Sequence, residues 1–159
     1  PDARLSARRI ATNRRLLCAS PSYLKRFGMP QTPVDLQQHR CIVIRESDAA
    51  YGTWHFNQGS LQETVKVRGP VTTNDGETAV AWALSGNGVL LRSEWNIAPY
   101  LRSGRLREVM ADWQLPPADI YAVFPMKHYL SAKIRAFVDY LSDSLQTKFD
   151  PRDTGRFEW

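Results

Sequence analysis

A chain of 159 residues, 43% of them apolar, can bury a core of its own as one domain or as two small lobes, which excludes a disordered segment. Its net charge of +5 stems largely from the opening stretch, where Arg4, Arg8, Arg9, Arg14 and Arg15 face only Asp2. No zinc-finger spacing, aromatic RNA-binding strand motif or paired short helices accompany that charge, and a solvated Arg-rich strand edge accounts for it better than a nucleic-acid surface.

No apolar run approaches the roughly 20 residues that a membrane helix needs, and no apolar export segment opens the chain. A soluble, cytoplasmic protein with no membrane partner is therefore expected. The run "RRLLCAS" (14–20) reads as a buried strand, and "PSYLKRFG" as a short helix opened by Pro21 and stopped by Gly28. "TPVDLQQH" adds one or two helical turns, and "RCIVIRE" is the next strand. Cys18 and Cys41 sit inside these apolar strands, as suits small buried thiols in a reducing compartment better than a disulfide framework.

Residues 52–56 and 63–71 read as strands, with "NQGS" as the hairpin turn between them. A helix over about 77–85 carries Ala79, Val80, Ala83 and Leu84 on one face, with Trp82 off that face. "SGNG" ends it, with Gly86 and Gly88 as a left-handed stop, and "VLLR" is a further strand. A helix near 95–101, short strands at 106–109 and 120–124, and a helix over 131–146 with Ser131 as N-cap complete the elements. In that last helix Ile134, Phe137, Val138, Leu141 and Leu145 share a stripe, while the residues beyond 148 read as a loose tail.

Catalytic and metal chemistry finds little support. His39, His55 and His128 fall in different elements without a metal-ligand spacing, and no nucleophile elbow or phosphate-binding glycine loop occurs. Asp75 and Glu77 point in different directions at a helix start, and the Asn74–Glu77 spacing of a capping box accounts for this stretch structurally. Neither an enzyme nor a cofactor or metal is expected.

A binding corner is what remains. In "GPVTTNDGETAVAWALSGNGVLL" (69–91) a strand ending in Thr72 and Thr73 delivers the chain to a helix whose first amides are free for an anion. "CASPSYL" repeats the design, its strand ending in Ser20 before a helix opened by Pro21 and Ser22. Two such helix starts at strand ends are expected to converge on one cleft, as ligand sites of open α/β sheets do.

The blocks "RRLLCASPSYLKRFGMPQTPVDLQQHRCIVIR", "VRGPVTTNDGETAVAWALSGNGVLLRSEW", "GRLREVMADWQLPP" and "IYAVFPMKHYLSAKIRAFVDYL" resemble the effector-binding region of LysR-type transcriptional regulators, over about residues 5–145. The resemblance implies an α/β, periplasmic-binding-protein-like fold of two lobes joined by crossover strands, the second lobe complete and the first partial. Residues 1–13 would be a crossover strand and first-lobe remnant, 14–112 the second lobe, 113–146 the return crossover with a first-lobe strand and helix, and 147–159 a flexible tail.

The resemblance further implies a small-molecule effector in the interlobe cleft, organic acids being one class such regulators sense, with DNA contacted only through a separate N-terminal winged helix-turn-helix that has no counterpart here. Ser20, Pro21, Ser22, Thr73 and Asn74, with Phe124 and Pro125 near the hinge, are the expected effector-binding residues. Trp82 is the expected contact of a homo-oligomer, because regions of this family pair side by side. The 131–146 stripe would lack most of its first-lobe cover and so seek another surface, in a second copy or on the second lobe. A fragment of a periplasmic-type solute-binding protein is the alternative, and an enzyme on a similar sheet would need a reactive group that is not evident.

Overall fold

The computed structural model describes residues 5–45, 52–125 and 131–148. They fall into two compact units, Arg14–Pro116 and the flanking segments Pro1–Asn13 with Pro117–Trp159.

The larger unit is a three-layer α/β structure. Its sheet holds β2 (Arg15–Ala19), β3 (Cys41–Ile44), β6 (Val71–Thr73), β7 (Val89–Ser93) and β8 (Arg107–Glu108), in the order β6-β3-β7-β2-β8. Strands β6, β3 and β7 are mutually parallel, whereas β2 runs antiparallel to β7, with Arg15 opposite Ser93 and Cys18 opposite Leu90. The middle strands are near-continuous apolar runs because both of their faces are covered. On one face Leu16, Cys18, Ile42, Leu90 and Leu106 pack under α2 (Gly76–Leu84) and α3 (Glu94–Arg102).

The other face is covered by α1 (Pro21–Phe27), a 3-10 segment (Pro33–Gln37) and the hairpin β4 (Thr53–Gln58) and β5 (Leu61–Lys66). Period-two alternation places Trp54, Phe56 and Val65 inward on this layer, and Phe56 is fully buried. Trp113 meets the Phe56 ring edge-on at 6.4 Å, and Asn57 and Gln114 exchange two 2.8 Å backbone bonds. These contacts hold residues 113–116 in the larger unit. The run expected over 63–71 is broken in two, β5 and β6, by the "VRGP" segment.

The smaller unit pairs β1 (Leu5–Ala11) antiparallel with β9 (Ile120–Pro125) and lays α4 (Ala132–Lys148) across β1. Arg8 pairs with Asp139 of α4, and Arg9 with Asp119 at 3.1 Å. The stripe on α4 is therefore not left without a surface: Val138 and Ser142 are buried against the unit's own strands. Phe137, one residue off that line, stays 60% exposed, which corrects its place in the stripe. α4 continues through Lys148, past the expected start of the tail, and residues 149–159 lie outside the described residues.

Candidate functional site

The corner between β6 and α2 lies at the carboxyl end of the parallel strands. Thr73 Oγ1 accepts the Asp75 amide at 3.0 Å, and the carboxylate of Asp75 accepts the Thr78 amide at 2.6 Å. Asp75, not Asn74, is thus the N-cap of α2. The capping box expected between Asn74 and Glu77 does not form, because the helix begins one residue later than that pairing requires. Its bond to Thr78 holds the Asp75 carboxyl below the usual range, with the charge of Arg92 acting in the same direction. With Thr78 and Ala79 served by Asp75, the amides of Gly76 and Glu77 have no acceptor among the described residues.

Arg92 is the residue that sequence reasoning missed. It stands at the carboxyl end of β7 on the same pleat face as Leu90, which packs under α2, and its guanidinium lies across Gly76. A Cβ at position 76 would overlap that guanidinium. The clue available in the sequence was the spacing "LLR", a lone charge two residues after an inward-facing leucine at the end of an apolar strand. Close by, Asn96 Nδ2 donates to Glu77 Oε1 at 3.4 Å.

Ser20, Pro21 and Ser22 do not join this corner. Because β2 runs against β7 while β6 and β3 run with it, the C-terminal end of β2 and the C-terminal end of β6 lie at opposite ends of the sheet. A Cβ on Gly86 would sit 2.9 Å from Ser22 Oγ and 3.5 Å from Ser20 Oγ, so the two serines face the last turn of α2 and not its first. Ser20 is 3% exposed, accepts the Tyr23 amide at 3.3 Å as N-cap of α1, and lies 2.9 Å from Ser22 Oγ. The expected convergence of two helix starts on one cleft is therefore corrected. Gly86 is the left-handed stop of α2 at φ +78°, whereas Gly88 has no positive φ and instead allows the Arg40 carbonyl to approach.

Phe124 and Pro125 belong to the smaller unit, on β9 opposite Ser6 and Leu5. Phe124 lines a cavity of about 380 Å³ together with Arg8, Ile134, Arg135, Val138 and Asp139. Trp82 is half-buried and packs on the α2 side of its own sheet. His39 Nδ1 lies 3.0 Å from the Tyr23 hydroxyl and His55 Nδ1 2.9 Å from Thr64 Oγ1, while His128 lies outside the described residues. Cys18 and Cys41 are free and fully buried, and burial pushes both thiols up to about 12. Among the described residues no group of three His, Cys, Asp or Glu could hold a metal ion, and no helix is long and apolar enough to cross a membrane.

A doubly covered, mostly parallel sheet with a polar helix start at its carboxyl edge places the chain among open α/β domains, a class whose ligands bind at that edge. The chain belongs to the family "LysR substrate binding domain", whose model matches residues 1–146. It is 38% identical over 146 residues to the HTH-type transcriptional activator TtdR of Escherichia coli K12, covering 92% of this chain and 47% of that protein. It is also 38% identical over 137 residues to the HTH-type transcriptional regulator DmlR of the same strain, covering 86% and 44%. The chain thus spans about half the length of the curated relatives it matches.

Among solved structures it superposes on the regulatory domain of CrgA, a LysR-type regulator from Neisseria meningitidis, with a TM-score of 0.74 and 27% identity, covering 91% of this chain and 71% of that one. Full-length AphB, the Vibrio cholerae virulence activator, shares the fold at a TM-score of 0.75 and 24% identity, covering 91% and 49%. The fold is therefore that of LysR regulatory domains.

Proposed function

We propose that this chain is the ligand-sensing part of a LysR-type transcriptional regulator, that it takes a small organic acid, and that a separate winged helix-turn-helix domain in the longer protein contacts DNA. The family match over residues 1–146 supports this reading, as do the relatives named as HTH-type transcriptional regulators. The observation that carries it is the β6–α2 corner, where Thr73 and Asn74 stand beside two free helix amides at the carboxyl edge of the sheet.

On this reading the protein is cytoplasmic, is not an enzyme, and works as a paired chain with α2 and its half-buried Trp82 toward the partner. Phe124 and Pro125, on β9, are further effector contacts on this reading. A solute-binding protein is not favoured, since the relatives that match are regulators.

The test is a thermal-shift screen of the chain against a panel of anionic, neutral and cationic metabolites, followed by amide chemical-shift mapping of each hit. Hits that raise the melting temperature and move the amides of Thr72, Thr73 and Asn74 are the expected result. A panel in which every hit maps elsewhere, or a hit that leaves DNA occupancy by the longer protein unchanged, would overturn it.

A further inference from the structure

Among the described residues the Arg92 side chain has no hydrogen-bond or ion-pair partner, and its Nε is a buried polar atom. A guanidinium is never neutral, and its buried Nε–H, which lacks an acceptor, is unfavourable unless a ligand or water satisfies it. What holds it in place is packing: it is half-buried, with its planar end across the backbone of Gly76 in the first turn of α2. Glycine at that position is the condition of the contact, because any side chain would displace the guanidinium. Yet Gly76 does not need glycine for its backbone, being absent from the positive-φ residues.

A full positive charge and the unbonded amides of Gly76 and Glu77 thus occupy one spot at the carboxyl end of β6 and β7. Two acidic groups share the corner, and both are engaged: Asp75 caps Thr78, and Glu77 Oε1 accepts from Asn96. Neither forms an ion pair with Arg92 among the described residues.

We infer that Arg92 is the anion-recognition residue of this corner, its guanidinium gripping one carboxylate of a small acid while the Gly76 and Glu77 amides hold the same group from the helix side. This rests on the effector-domain reading and deepens it by naming the residue that selects the ligand's charge. A planar fork of donors matches a carboxylate in two parallel bonds, which a lone helix start cannot do. Small neutral compounds would leave the orphaned donors unmatched and are discriminated against for that reason.

The experiment titrates the ¹⁵N-labelled chain with acetate, succinate and inorganic phosphate as anionic probes and with succinamide as the uncharged counterpart of succinate. At least one anion is expected to shift the Gly76 and Glu77 amides and the Arg92 side-chain resonance, while succinamide leaves them in place. Arg92→Gln should weaken that binding at least tenfold. Gly76→Ala should weaken it comparably while the melting temperature holds or rises, since alanine suits a helix better than glycine. Three silent anions, or an anion bound equally well by both variants, overturn the assignment. A compound that binds at Thr73 and Asn74 without regard to Arg92 overturns it while leaving the effector reading intact. Arg92-dependent anion binding that never alters DNA occupancy by the longer protein would sink the regulator reading and leave the site.

Discussion

The hydroxyl of Tyr23 accepts the backbone amide of Arg40 at 3.0 Å, tying α1 to the entry of β3. Tyr23 is fully buried, the same oxygen lies 3.0 Å from His39 Nδ1, and the ring sits 4.8 Å from that of Phe27. Tyr23→Phe keeps the ring packing and strands both polar partners. A loss of about 1–3 kcal/mol is expected, read as a lower urea midpoint at unchanged slope. An unchanged midpoint would mean that water replaces the hydroxyl.

His39 links the same network to pH. Burial holds its imidazole below the ordinary range, against the opposing pull of the Asp35 carboxylate. The folded chain therefore binds fewer protons at this site than the unfolded chain just below pH ~6.5, and unfolding is favoured there. Stability contributed by neutral His39 is present above that pH and lost as pH falls through the lowered folded value. In a melting series from pH 7.5 to about 5, His39→Gln should decline less steeply than the parent chain. Parallel curves for the two proteins would contradict the assignment.

Cys18 and Cys41 are fully buried in β2 and β3, with thiols pushed up to about 12. At pH 8 the thiolate fraction is then on the order of one in ten thousand, too small for ready attack on a disulfide reagent. The native chain is expected to leave a thiol-reactive dye unconsumed over hours and to react at both cysteines once unfolded. Dilute peroxide should likewise leave the melting temperature unmoved. Rapid labelling of the folded protein at either position would show that the sheet opens there.

The Ser20 cap and the β6–α2 corner can be separated by one substitution. Ser20→Ala removes an N-cap acceptor from α1 and should cost about 0.5–2 kcal/mol of stability. Because Ser20 faces the last turn of α2, anion binding at its first turn should keep the parent affinity after correction for the unfolded fraction. A selective loss of affinity in Ser20→Ala would reopen the shared cleft.

Local pattern was enough for most of the elements and for the family. Apolar runs in "RRLLCAS" and "RCIVIR", the proline that opens α1 and the glycine that ends α2 follow from backbone chemistry that acts within a few residues, and the blocks at 69–91 and 120–141 carry the LysR resemblance. What local pattern could not carry is strand direction. "CASPSYL" and "VTTNDGE" look alike as strand end, polar residue and helix start, and only the antiparallel placement of β2 beside β7 sends them to opposite ends of one sheet. The same holds for the site residue that was missed: Arg92 reads locally as the last charge of a strand, and it meets Gly76 because β7 lies beside β3 under α2. Side-chain periodicity is a property of one element, whereas which ends coincide depends on the order and sense of pairing among strands distant in the chain.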